Sequence, residues 1–123
     1  MKLKTLNVGI MPLIEYKKRT IAIAKGEYIP KKDEPKIWFE SLKSMAQILS
    51  NENQELLKVI LNKQPQSLSE LEQLTGRAKS NLSRTLKTLQ RYGIVKLTKI
   101  KNTIIPEVQA TNFKVEFGLG KVA

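Results

Sequence analysis

The residues with the clearest chemical potential lie between two glycines, in the stretch TGRAKSNLSRTLKTLQRYG at 75–93. Apolar residues recur there at Ala78, Leu82, Leu86 and Leu89, in steps of four, four and three, as on one face of a helix. The other positions carry mainly Lys, Arg, Asn, Ser and Thr, and the stretch contains no acid. A helix exposed only to water usually mixes both signs of charge, because Glu–Lys pairs stabilise it. The outward face is therefore predicted to bind a polyanion.

Each polar residue type on that face matches a group that duplex DNA offers. Arg and Lys suit guanine edges and phosphates, Asn suits adenine edges, and Ser and Thr suit either kind of base. The side chains expected to reach base edges are Ser80, Asn81, Ser83, Arg84 and Lys87. Those expected to hold phosphates are Arg77, Lys79, Thr88 and Arg91.

The elements that must position these residues can be read on either side of them. Ser67 followed by Glu70 is a capping box that starts a short helix, and Gly76 ends it. The basic helix follows, at about 78–92. Two helices joined by a glycine turn, the second longer and basic, are typical of a helix-turn-helix.

A hairpin is predicted directly after the basic helix. In residues 93–109, β-branched runs flank Lys101-Asn102, which would form a basic tip. A hairpin in this place is a wing, and Lys99 and Lys101 are expected to contact flanking phosphates or the minor groove. Pro106 indicates that its strand lies at an edge or breaks there.

Composition excludes several kinds of chemistry and favours one kind of partner. The 123-residue chain has no Cys and no His, so it lacks thiolates and the commonest metal ligand and general base. We expect no enzyme activity, no cofactor and no metal. The formal net charge is +11, and residues 67–101 hold eight Lys and Arg against two acids. Residues 1–36 hold nine against four, which makes a basic arm. Nucleic acid is the leading partner for such a surplus.

The N-terminal half is expected to hold a short strand at 4–10 and helices at 12–25, 35–49 and 51–65. Helix 35–49 has an apolar seam in steps of four, three and four, as in a coiled coil. Its residues are Trp38, Leu42, Met45 and Leu49. Two interpretations of the seam stay open: packing against the chain's own core, or a dimerisation helix.

Together the elements predict a mainly α fold with a small antiparallel β wing, a winged helix-turn-helix, plus an N-terminal strand and helix. The expected parts are a basic arm at 1–34, the winged domain at 35–117 and a tail at 118–123. No segment reaches the roughly 20 apolar residues that span a bilayer. We therefore expect a cytoplasmic protein with no membrane partner.

Residues 51–110 resemble winged helix-turn-helix transcriptional regulators of the multiple-antibiotic-resistance-regulator (MarR) type. Such proteins commonly carry Leu-x-x-x-Gly-x-Ser-Lys-Ser-x-Val-Ser-Arg-x-Leu-Lys-x-Leu, then a Gly and the wing. The matching residues are Leu71 or Leu74, Gly76, Lys79, Ser80, Ser83, Arg84, Leu86, Lys87, Leu89 and Gly93. Leu82 replaces the usual valine, and Ala78 stands where relatives often have a serine that caps the recognition helix.

The whole chain also resembles a narrower group of small archaeal and bacterial DNA-binding proteins that are often encoded beside a small toxin. The stretches NVGIMPLIEYKKRTIAIAKGE and EPKIWFESL carry this likeness. It implies a repressor of its own gene. Our main hypothesis is a homodimeric, sequence-specific binder of double-stranded DNA that reads half-sites about one helical turn apart. A second hypothesis is an antitoxin that covers a toxin with its arm and helix 35–49. RNA binding ranks lower, because few aromatic side chains are available for stacking.

Overall fold

The computed structural model describes residues 4–119, which contain five helices and five strands. The helices are α1 (Leu13–Ala24), α2 (Leu42–Ile48), α3 (Asn51–Lys63), α4 (Leu68–Thr75) and α5 (Lys79–Arg91). The strands are β1 (Lys4–Ile10), β2 (Ile37–Phe39), β3 (Val95–Ile100), β4 (Thr103–Val108) and β5 (Ala110–Glu116). One sheet has the order β2-β1-β5, and β3 pairs separately with β4.

The prediction of a mainly α fold with a small wing is wrong. About a quarter of the structure is strand, and the chain is a mixed α/β protein. Its additional sheet pairs β1 with β2 in parallel, with Val8 opposite Ile37 and Ile10 opposite Phe39. The strand β2 has three residues, too few to show the alternation that identifies a strand in sequence. Pairing with a distant segment, rather than local pattern, makes it a strand.

The helix expected at 35–49 is also wrong. Trp38 lies in β2, Leu42 begins α2, and Leu49 follows the last residue of α2. The helix can begin only after Ser41, whose Oγ accepts a hydrogen bond of 3.0 Å from a first-turn amide. The coiled-coil seam of Trp38, Leu42, Met45 and Leu49 therefore does not form.

The described residues divide into two compact units. Residues 5–46 and 112–119 form the sheet unit, and Lys4 with residues 47–111 forms the helix–hairpin unit. In the sheet unit, Trp38 lies against β1 at Gly9. A Cβ at Gly9 would stand 2.6 Å from Trp38 Cε3, so this position admits no side chain without displacing the indole.

Arg19 of α1 is held inside the sheet unit rather than extended into solvent. Its Cζ lies 5.1 Å from the Trp38 ring centroid and 5.8 Å from that of Tyr28, both within cation–π range. Its Nη2 lies 3.6 Å from Glu34 Oε2. Tyr28 donates a hydrogen bond to the same carboxylate, which raises the pKa of Tyr28 and lowers that of Glu34.

The helix–hairpin unit has a core built from three helices and the hairpin. Its most buried apolar side chains include Leu56, Ile60, Leu71, Leu82, Leu86, Leu89, Ile94 and Val95, each at most 2% exposed. The spacing that predicted one buried face on α5 is confirmed for its three leucines. Their burial fixes which side of α5 faces outward.

The connection between α4 and α5 is three residues long, from Gly76 to Ala78. Gly76 has φ 74°, in the left-handed region, and ends α4 as predicted. Ala78 is the N-cap of α5 and is exposed, so its assignment to the buried face is wrong. It offers no capping oxygen. Glu72 Oε2 instead accepts a hydrogen bond of 3.3 Å from Lys79 N, so a carboxylate of α4 caps the start of α5.

Replacing Ala78 by Ser should raise the free energy of unfolding by about 1 kcal/mol. The reason is that Ala78 already has the extended N-cap backbone, with φ −63° and ψ 145°. Glu72→Ala should lower the free energy of unfolding by about 0.5 kcal/mol. The new hydroxyl and the Glu72 carboxylate would both accept hydrogen bonds from first-turn amides of α5. Ala78→Ser should therefore stabilise the Glu72→Ala background more than the wild type. Urea denaturation of the four proteins measures this coupling, and an equal gain in both backgrounds would contradict a shared cap.

Candidate nucleic-acid interface

The outermost ridge of α5 carries one hydroxyl and three cations. Ser80, Arg84, Lys87 and Arg91 follow one another by four, three and four residues, so helix geometry aligns them opposite the buried leucines. All four are exposed. The structure therefore brings four of the nine predicted base-reading and phosphate-binding residues of this region onto one accessible ridge.

The two flanks of this ridge differ. Asn81 and Thr88 lie on one side, where Thr88 Oγ1 donates a hydrogen bond of 3.1 Å to Arg84 O. Ser83, partly exposed, and Lys79, exposed, lie on the other. Lys79 lines a cleft of about 250 Å³. Residues from the start of α4 and from the hairpin line it too: Ser67, Leu68, Ser69, Asn102, Thr103 and Ile104. The start of α5 thus lies close to the hairpin turn.

The predicted hairpin with a basic tip is confirmed. Ile100 of β3 pairs with Thr103 of β4, leaving Lys101 and Asn102 as the turn. Lys101 has φ 57°, a left-handed conformation that few residues other than Gly adopt. Lys99 and Lys101 are both exposed. Pro106 lies in β4, and within residues 4–119 the only strand that pairs with β4 is β3, so its strand is an edge as predicted.

The positive charge of this surface is not neutralised from within the unit. Within residues 4–119, no acid lies within ion-pair distance of the cations of α5 or the hairpin. The two acids of α4 are used at helix ends: Glu70 Oε2 accepts from Gln66 N at 3.1 Å, and Glu72 caps α5. We call the exposed residues of α5 together with Lys99 and Lys101 the basic face.

Arg77 differs from the other residues expected to hold phosphates. It is partly buried in the connection between α4 and α5, and its guanidinium makes three hydrogen bonds inside the unit. Nε donates to Asn81 Oδ1 at 2.9 Å, Nη2 to Thr85 Oγ1 at 3.0 Å, and Nη1 to Asn53 Oδ1 at 3.3 Å. All three acceptors are neutral. Arg77 therefore fastens α5 to α3.

Sequence reasoning missed two members of this arrangement, Thr85 and Asn53. Arg77, Asn81 and Thr85 are spaced by four residues, so a polar stripe along one side of the helix was readable in the sequence. Asn53 gave no such signal, because it lies on another helix. Its Nδ2 also donates to Ile48 O at 2.9 Å, while Ser50 caps α3.

The residues predicted for dimerisation are not brought together in one seam. Trp38 contacts Arg19, and Met45 and Leu49 are partly buried. Leu42 is 43% exposed and lines an open cavity of about 730 Å³ in the sheet unit. Ile10, Met11 and Phe117 line the same cavity.

Residues 4–119 contain neither a metal-binding cluster nor a membrane-spanning helix. No cluster of three or more His, Cys, Asp or Glu could hold a metal ion there. No helix in that range combines the length and apolarity needed to cross a bilayer.

A family model named HVO_A0114 matches residues 48–115. The match covers α3, α4, α5 and the hairpin, and therefore the whole basic face. No curated protein and no solved structure has significant similarity to the chain. Because the matched residues are more than half of the 123, the chain belongs to the HVO_A0114 family.

Proposed function

We propose that this protein binds double-stranded DNA sequence-specifically and regulates transcription, acting in the cytoplasm as a homodimeric repressor of its own gene. The observation that carries the proposal is the basic face: an exposed, acid-free helix side next to a hairpin with a cationic turn. Cations that the fold leaves unpaired favour a partner that supplies many phosphates.

The shape of the basic face fits duplex DNA better than RNA. The major groove of B-DNA admits an α-helix, whereas that of A-form RNA is too deep and narrow for side chains to read. On the ridge of α5, Ser80, Arg84 and Lys87 would face base edges, and Arg91 at the helix end would meet the backbone. The hairpin would add Lys99 and Lys101 on flanking phosphates.

Exposed apolar side chains in the sheet unit support self-association. Three large apolar side chains there are between 43% and 54% exposed, although contact between apolar surface and water is unfavourable: Leu42, Val115 and Phe117. A two-fold dimer buries the same patch on both copies. Two copies would present two basic faces to half-sites about one helical turn apart.

Arg84→Ala should weaken binding to the operator by roughly 1–3 kcal/mol and relax base choice at one position.

Lys101→Asn should instead weaken binding to all duplexes about equally, and lower the slope of log K against log salt by about one. Asn is the replacement because it tolerates the φ of 57° at this turn, so that only the charge changes.

Fluorescence anisotropy with the footprinted upstream DNA of the protein's own gene measures both effects. Lys58→Gln is the matched control, because Lys58 lies on α3 and pairs with Glu55 outside the basic face. It should leave base preference and salt slope unchanged. Operator affinity that is untouched by Arg84→Ala would refute the docking of α5 in the groove.

One observation in the sheet unit supports a second candidate function, the binding of another protein. The helix α1 has no buried residue, and Leu13, Ile14 and Ile21 are each more than 50% exposed. Lys17 and Lys18 lie on the same side of α1 and Lys25 is its C-cap, so two copies would repel one another there. We propose an acidic protein segment as the occupant; for an antitoxin this would be its toxin. The part of this hypothesis that used a helix at 35–49 has no structural basis.

Co-expression with the product of the adjacent gene tests this second function. The wild type should elute as a complex, and the double variant Ile14→Asp, Ile21→Asp should not, because it makes the surface polar and lowers its positive charge. Lys87→Ala, on the basic face, should leave the complex intact. A complex that survives both aspartates, or no complex with the wild type, would contradict docking on α1.

A further inference from the structure

Arg77 is placed to control how a neighbouring side chain meets DNA. Its guanidinium bridges Asn53 of α3, Asn81 of α5 and Thr85 of α5 at 2.9–3.3 Å. A cation that donates to three fixed acceptors is held in one orientation, because each hydrogen bond restricts the planar group further. Three of the five N–H donors of Arg77 are thus used inside the unit, while the ridge residue Arg84 is not held in this way.

The consequence falls on Asn81, an exposed residue of the basic face. Asn ordinarily reads adenine with both ends of its amide, accepting from N6 and donating to N7. In this chain Oδ1 already accepts from Arg77 Nε at 2.9 Å. Because the amide is planar, fixing its oxygen on Arg77 turns the NH₂ group away from the guanidinium. What Asn81 presents to a partner is therefore mainly a hydrogen-bond donor.

The charge of Arg77 acts in the same direction. The amide oxygen has a second lone pair, but an adenine amino group brought to it would lie next to a guanidinium. Two donors facing one oxygen, one of them cationic, repel each other. Guanine offers N7 and O6, which are both acceptors, and so avoids this conflict.

We propose that Arg77 is a positioning residue that sets base specificity, by making Asn81 a donor that selects guanine over adenine. This inference rests on the proposed DNA-binding function and assigns one of its determinants. It replaces the expectation that Arg77 holds a phosphate.

Selection from randomised duplexes, followed by binding at several salt concentrations, tests the assignment. Asn81→Ala identifies the base pair that Asn81 reads, as the position where preference is lost. At that position the wild type should prefer guanine. Arg77→Met should shift the preference toward adenine by about tenfold, within the range that one bidentate contact gives. The salt slope should stay the same, because no phosphate contact is removed.

Arg77→Lys is the second variant, and it decides the matter if Arg77→Met does not fold. An ammonium keeps the charge but cannot span three acceptors as a guanidinium does, so base preference should shift in the same direction by a smaller factor. Circular dichroism confirms that each variant tested is folded.

The outcomes separate this inference from the function on which it rests. A wild type that binds no duplex overturns both. A wild type that selects an operator, with folded Arg77 variants that keep its base preference, overturns the role of Arg77 alone. So does an Arg77→Met protein whose salt slope falls by about one with an unchanged base profile, since that result marks a phosphate contact.

Discussion

The burial of three leucines on one side of α5 determines what the helix–hairpin unit can do. Leu82, Leu86 and Leu89 are at most 1% exposed, and burying each contributes on the order of 2 kcal/mol. Turning α5 about its axis would expose them and bring Arg84 or Lys87 into an apolar core, at a cost of several kcal/mol for each unpaired charge. The hydrophobic effect therefore fixes the basic face outward, although nothing within the unit neutralises it. The fold tolerates this repulsion, which is why a polyanionic partner is the simplest explanation for the face.

Polar contacts in the first half of α5 refine what the leucines fix. The leucines set the rotation of the helix, while Glu72 holds its first turn and Arg77 ties its side to α3. Glu72 and Arg77 are charged residue types that sequence alone would assign to solvent or to a ligand, yet both make contacts within the unit. The basic face therefore has two layers: cations that face outward, and half-buried polar groups that hold the helix carrying them.

Much of the helix–hairpin unit was predictable because its signals are local. The leucine spacing of α5, the capping serine at 67 and the left-handed Gly76 each depend on neighbours within a turn or two. The sheet unit was not predictable in this way: β2 is a strand because β1 lies beside it, and Trp38 fits only because Gly9 lacks a side chain. Trp38, Leu42, Met45 and Leu49 have the spacing of a helical seam, but Trp38 lies in β2 and no helix joins the four. Within the candidate site, exposure of the cations followed from periodicity, but the internal role of Arg77 depended on Asn53, 24 positions away in sequence.

The central claim is that the basic face is where this protein meets duplex DNA. Amide chemical-shift mapping of the wild-type protein during titration with its operator duplex tests that claim most directly. The account predicts the largest shift changes at residues 79–91 and 99–102, weakening as salt is raised. Changes confined to the sheet unit, or no saturable change with any upstream duplex, would contradict it.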